Sequence, residues 1–138
     1  MQPYIRNLLA IVAGVLAAFV LVGLIEALGH MVYPVPEGLD FTNPDQLQAY
    51  VQGLPVGALL FVLAAWVVAT FVGGLVAASV ARTRPLLYST IVGAVVLAAT
   101  IANLLMIPHP RWFAIAAVVA IPIAAFVAAR LRPARASD

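Results

Sequence analysis

Residues 8–25 read LLAIVAGVLAAFVLVGLI, a stretch without one polar side chain. A run of about 18 such residues is long enough to cross the hydrocarbon core of a bilayer as a helix. Hydrocarbon offers no partner for backbone N–H and C=O groups, so a lipid-exposed run must satisfy them internally as a helix. Outward from this run the same signal recurs. Leu54 to Ala81 is broken only by Thr70 and Ser79, Ile91 to Ile107 only by Thr100 and Asn103, and Trp112 to Ala129 is apolar throughout with Pro122 inside it. With flanking residues added, the spans are expected at about 6–32, 55–81, 86–107 and 112–131, joined by a loop at 34–53 and followed by a tail at 132–138.

Composition supports this reading. Of 138 residues, 65% are hydrophobic and 9% charged, where a soluble domain carries about 25% charged residues. So few charges cannot solvate a surface of this size. A net charge of +2 is too small to point to nucleic acid. The absence of cysteine removes disulfides, thiolate catalysis and Cys-based metal sites. Ala27-Leu28-Gly29 has the small residues of a signal-peptide cleavage site, but the apolar run exceeds the usual 7–15 residues and Glu26 adjoins the cut; the run is read as a retained span.

Orientation follows from arginine, the only basic side chain present apart from histidine. Arg6, Arg82, Arg84, Arg130, Arg132 and Arg135 fall on one side of the spans, and Glu37, Asp40 and Asp45 on the other with Arg111. Cytoplasmic loops hold the excess of basic residues, so both termini are expected in the cytoplasm, with Tyr33 and Trp112 at the outer interface. The expected fold is all-α: a four-helix transmembrane bundle, up-down-up-down. In the outer loop, Asn43-Pro44 followed by Gln46 reads as a helix start, and Leu47, Tyr50 and Val51 share a face. A short amphipathic helix there would lie on the membrane or cap the bundle; the alternative reading is an ordered loop without a helix.

Lipid provides no hydrophobic drive for helix association, so small residues that admit close approach matter. Steps of four give Ala10, Gly14 and Ala18 in the first span; Ala65, Ala69, Gly73, Ala77 and Ala81 in the second; Thr90, Ala94, Ala98 and Ala102 in the third; and Ala116, Ala120, Ala124 and Ala128 in the fourth. Gly73-Gly74 is the most specific of these, because helical glycine costs stability unless a neighbour comes close. The expected packing residues are Gly14, Gly73, Gly74, Ala77, Ala120 and Ala124. Ile11-Val12-Ala13-Gly14 resembles Ile91-Val92-Gly93-Ala94, and Thr70-Phe71-Val72 resembles Ala125-Phe126-Val127; a duplication would give two parallel helical hairpins.

Glu26 is the one ionisable group inside a span, a costly placement that raises a functional hypothesis. His30 follows on the same helical face, with Gly23 and Gly29 leaving room for another helix or a ligand. Asn103 and His109 fall at the same depth. For this cluster the structural reading is a Glu26 hydrogen-bonded to His30, Asn103 or a loop amide. A second reading is a proton or ion path through Glu26 and His30. A third is a metal site from Glu26, His30 and His109, or haem ligation by the two histidines. Trp66 is read as packing, and Pro122 as a kink. No Ser–His pair, phosphate loop or His-Glu-x-x-His is present, so no catalytic residue and no cofactor is expected.

The pattern Glu26-x-x-Gly29-His30-x-x-Tyr33-Pro34, Leu54-Pro55, Gly73-Gly74 and Asn103-Leu104-x-x-Ile107-Pro108-His109-Pro110-x-Trp112-Phe113 resembles small uncharacterised four-span membrane proteins of bacteria. The resemblance covers nearly the whole chain. It implies an inner-membrane location and brings no activity, cofactor or catalytic residue. The expected role is a structural or accessory membrane subunit whose partners are the bilayer and a homo-oligomer or larger membrane complex.

Overall fold

The computed structural model describes residues 2–132; Arg135 and the rest of the tail beyond Arg132 lie outside them. Among these residues five helices form in chain order: α1 (Pro3–Val32), α2 (Pro44–Gln52), α3 (Val56–Ala81), α4 (Pro85–Met106) and α5 (Arg111–Arg130). All but α2 are long and apolar enough to cross a membrane, and each starts and stops within a few residues of the expected bounds. Proline at the first position of α1, α2 and α4 presets φ where the N–H has no helical partner. At 30 residues, α1 is about 45 Å long, more than the hydrocarbon core of about 30 Å.

The spans run up-down-up-down. Along α1 and α3 the paired positions step in opposite directions: Gly14 meets Ala77, Ala18 meets Gly73, Gly29 meets Phe61, and Tyr33 meets Gly57. Gly74 beside Ser89 and Gly93 beside Thr70 give α3 and α4 the same antiparallel sense. The cross-section is a lozenge rather than a square. Helices α3 and α4 form its short diagonal, α1 and α5 flank them, and α1 does not touch α5. Helices α1–α3 and α4–α5 are two hairpins of the same sense, the arrangement a duplication would give, although α1 lacks a contact with α5 to mirror that of α3 with α4.

The contact between α1 and α3 is backbone to backbone. A Cβ on Gly14 would stand 2.7 Å from the Gly73 carbonyl oxygen, and one on Gly73 would stand 2.6 Å from the Gly14 oxygen. Ala10, Ala18, Ala65, Ala69, Ala77 and Ala81 are all buried along this seam, as the steps of four predict. Gly74 packs under the Ser89 hydroxyl, which donates to the Ala125 carbonyl at 2.6 Å and ties α4 to α5.

Two expected ridges are displaced. In α4, Thr90, Ala94, Ala98 and Ala102 all face outward, and Ser89, Val92, Gly93, Val96 and Thr100 face inward. Val92 fills the space that Gly14 and Gly73 leave; in a bilayer the outward row need not be polar, so an alanine row there costs nothing. In α5, Ala124 and Ala128 are buried as expected, but Ala116 and Ala120 are only half-buried, and Phe113, Ala117 and Ile121 continue the inward face. Helix α5 runs unbroken through the outward-facing Pro122. The α3–α4 turn is Arg82-Thr83-Arg84, with Arg82 at φ 63° and Arg84 at φ 47°; left-handed backbone in a residue with a Cβ costs about 1 kcal/mol.

Candidate functional site

The loop over residues 34–53 forms the expected surface helix. Asn43 Oδ1 accepts from the N–H groups of Asp45 and Gln46, which caps α2. Gln46 reaches back past the cap, and its Oε1 accepts from the Asp40 N–H at 3.0 Å. Asp40 in turn accepts from the Thr42 hydroxyl at 2.6 Å and the Thr42 N–H at 2.9 Å, and these bonds hold its carboxyl below the usual carboxylate range. Val51 is buried and Leu47 and Tyr50 are half-buried, so the predicted apolar face is the packed one.

Beneath this loop, half-buried Glu26 is the hub. The Trp66 indole Nε1 donates to Glu26 Oε1 at 3.2 Å, joining α1 to α3. This corrects the expected partners, His30, Asn103 or a loop amide, and it adds a polar role to Trp66, which also packs in the core as expected. The antiparallel hairpin is the reason: moving inward from the Tyr33–Gly57 contact brings Glu26 level with the turn of α3 that carries Trp66. An indole N–H buried in hydrocarbon needs an acceptor, and that need was the available signal. Trp66 is 6% exposed, and its own carbonyl accepts from the Thr70 hydroxyl at 2.7 Å.

The other cluster members are arranged around this pair. His30 is exposed and lines, with Glu26, Gly29, Tyr33 and Tyr50, a narrow cavity of about 50 Å³ between α1, α3 and the loop. Asn103 lies on the opposite flank, in a cleft of about 180 Å³ between α1 and α4 that Glu26, Trp66 and Thr100 also line. His109 borders neither space. Its ring stacks on Phe113 with centroids 4.8 Å apart and meets Trp66 edge to face at 6.3 Å. Its Nδ1 donates to the Ile107 carbonyl at 2.9 Å, which places the proton on that nitrogen. Burial of this loop imidazole lowers its pKa, and the bond to Ile107 works in the other direction.

Glu26, His30 and His109 therefore do not converge as a ligand set; among the described residues no three of His, Cys, Asp and Glu are grouped to hold a metal ion. Of the two glycines expected to admit a neighbour, Gly29 faces Phe61, which a Cβ added there would meet at 3.3 Å, whereas one added at Gly23 would meet nothing. Set against protein-family models, curated proteins and solved structures, the chain matches none. It is a small multi-pass membrane protein by its four spans.

Proposed function

We propose that this chain is a non-enzymatic accessory subunit of the bacterial inner membrane, with both termini in the cytoplasm, and that Glu26 and Trp66 fasten its first span to the bundle at outer-leaflet depth. The observation that carries this reading is the Trp66-to-Glu26 hydrogen bond. Helix α1 is the most exposed span, with four buried residues along its 30. Three of them, Ala10, Gly14 and Ala18, precede Phe19, and Gly29 is the fourth, so the stretch beyond Ala18 depends on other ties. Arg6, Arg82, Arg84, Arg130 and Arg132 at one end, against Glu37, Asp40 and Asp45 at the other, support the cytoplasmic assignment.

A double-mutant cycle on Trp66→Phe and Glu26→Leu in detergent tests the fastening. Interhelical hydrogen bonds in membranes contribute about 0.6 kcal/mol on average and up to about 1.7. Trp66→Phe loses ring packing in either background and is expected to cost about 1 kcal/mol more in the native chain than beside Glu26→Leu. Equal costs in both backgrounds would remove the fastening role.

A second reading, an ion or proton path, draws on the position of Glu26 between the two spaces that hold His30 and Asn103. Toward the termini the seam of Gly14, Gly73 and Val92 is closed and apolar. Loss of pH-dependent flux in proteoliposomes on Glu26→Gln, with the fold retained, would move the assignment to transport.

A further inference from the structure

The cleft between α1 and α4 holds more polar groups than the fastening role uses. Thr70, Ser79 and Ser89 each donate their hydroxyl to a backbone carbonyl, the usual way to satisfy such a group in a span. Thr100 does not. It is 3% exposed, lines the cleft, and has no hydrogen bond among the described residues. Asn103, one turn on, lines the same cleft and is likewise unbonded. Glu26 uses Oε1 for Trp66, and Oε2 has no protein partner there. Three acceptor-bearing side chains thus surround about 180 Å³ of space, where a water takes about 30 Å³. No arginine lines this space.

The remaining lining is Phe19, Val22, Val96 and Ala99. Phe19 and Ala99 are exposed on the lateral surface of the bundle, so the cleft opens sideways, toward the acyl chains, rather than through the protein. A carboxylate in such a place calls for a cation. Acceptors on both walls call for a cation with more than one N–H to donate, and an apolar mouth calls for one with an apolar tail.

We infer that this cleft binds a primary alkylammonium, with the head group donating to Glu26 Oε2, Asn103 Oδ1 and the Thr100 hydroxyl, and the tail leaving between α1 and α4. A quaternary ammonium has no N–H to donate and would leave Thr100 and Asn103 unsatisfied. An ethanolamine phospholipid carries the same head group, but it brings a phosphate next to Glu26 where no arginine lines the cleft. A free amphiphilic amine is therefore the favoured source. The site goes beyond the fastening role, because it depends on the charge and on the second oxygen of Glu26.

The test uses full-length Trp112→Phe protein in phosphatidylcholine vesicles, which leaves Trp66 as the single tryptophan reporter. Dodecylamine is expected to change Trp66 emission saturably. Dodecyltrimethylammonium should require at least about tenfold more, the usual weight of a hydrogen bond to a charged group. Glu26→Gln keeps an acceptor for Trp66 and removes the charge, so it should fold as the native chain does and weaken dodecylamine by about tenfold or more. Asn103→Ala, which leaves the Glu26–Trp66 pair intact, should weaken it as well. Equal response to the two amphiphiles, or unchanged dodecylamine affinity in both variants, would overturn the site and leave the fastening cycle unaffected. Suppression of the dodecylamine response by phosphatidylethanolamine vesicles would reassign the ligand to the lipid head group and overturn the free-amine assignment.

Discussion

The two ends of this bundle hold their helices together by opposite means. At the end that carries the termini, Gly14, Gly73, Gly74 and Gly93 bring backbones together, and an added Cβ at Gly93 would stand 2.6 Å from Ala125. At the α2 end, rings separate the helices: Phe61 covers Gly29, and Trp66 packs edge to face on Phe113 with centroids 5.4 Å apart. Close backbone approach leaves room only for small hydroxyls that donate to backbone carbonyls, as Ser89 and Thr70 do. Packing through rings leaves gaps, and the polar residues Glu26, Thr100 and Asn103 border one of them. In lipid both solutions hold helices together, but only the second creates a place where chemistry can occur.

The closed end is the more sensitive of the two to substitution. Gly73→Leu must part α1 from α3 at the tightest point of the seam, and overpacking of this kind costs about 3 kcal/mol; unfolding in mixed micelles measures it. A cost below 1 kcal/mol would mean that the seam is looser than the Gly14–Gly73 contact implies. At the open end the same kind of change is mild: Gly23→Leu, where nothing lies near the glycine, should leave stability unchanged or raise it slightly, since helical glycine costs about 1 kcal/mol. Asn43→Ala should cost about 1 kcal/mol and affect α2 alone, read as faster amide exchange over residues 44–52 with none in α3.

Acid sharpens the contrast further. Burial keeps His109 neutral in the fold with its pKa below the ordinary histidine value of 6.5. The unfolded chain therefore takes up the proton first, and stability should fall as pH drops through that ordinary value and on toward the lowered one. His109→Phe should remove the dependence, whereas a profile unchanged by that substitution would locate the titration elsewhere. Smallest is Asp40, whose carboxyl is exposed and lowered by Thr42. Its contribution to loop order is complete above the unfolded carboxylate pKa and disappears as pH falls through the folded one, and exchange at the Thr42 amide should report it.

Much of the closed end was legible in the residues, and little of the open end. Length and apolarity fix four helices, and the order of loops fixes their alternation. Gly73-Gly74 announces a close neighbour because nothing else would justify it. The row of α4 that faces inward was not legible, because hydropathy does not mark a buried face when the outside is also apolar; the valines at 92 and 96 are inside because their volume fits, and the alanines at 94, 98 and 102 are outside because they do not fill the gap. The Asn43 cap was readable because it is local. The Glu26 partner was not, since His30 shares the helical face while Trp66 lies far along the chain and meets Glu26 only after the hairpin closes.

The contrast between a dry end and a wet end can be tested directly in this cysteine-free chain. Single cysteines at His30, exposed beside Glu26 at the α2 end, and at Ala78, buried near the termini, can be exposed to a membrane-impermeant maleimide in intact vesicles. A thiol needs water to ionise and react. Labelling of His30→Cys from one side, with Ala78→Cys silent from both, is the predicted result; silence at His30→Cys, or equal labelling at both positions, would contradict it.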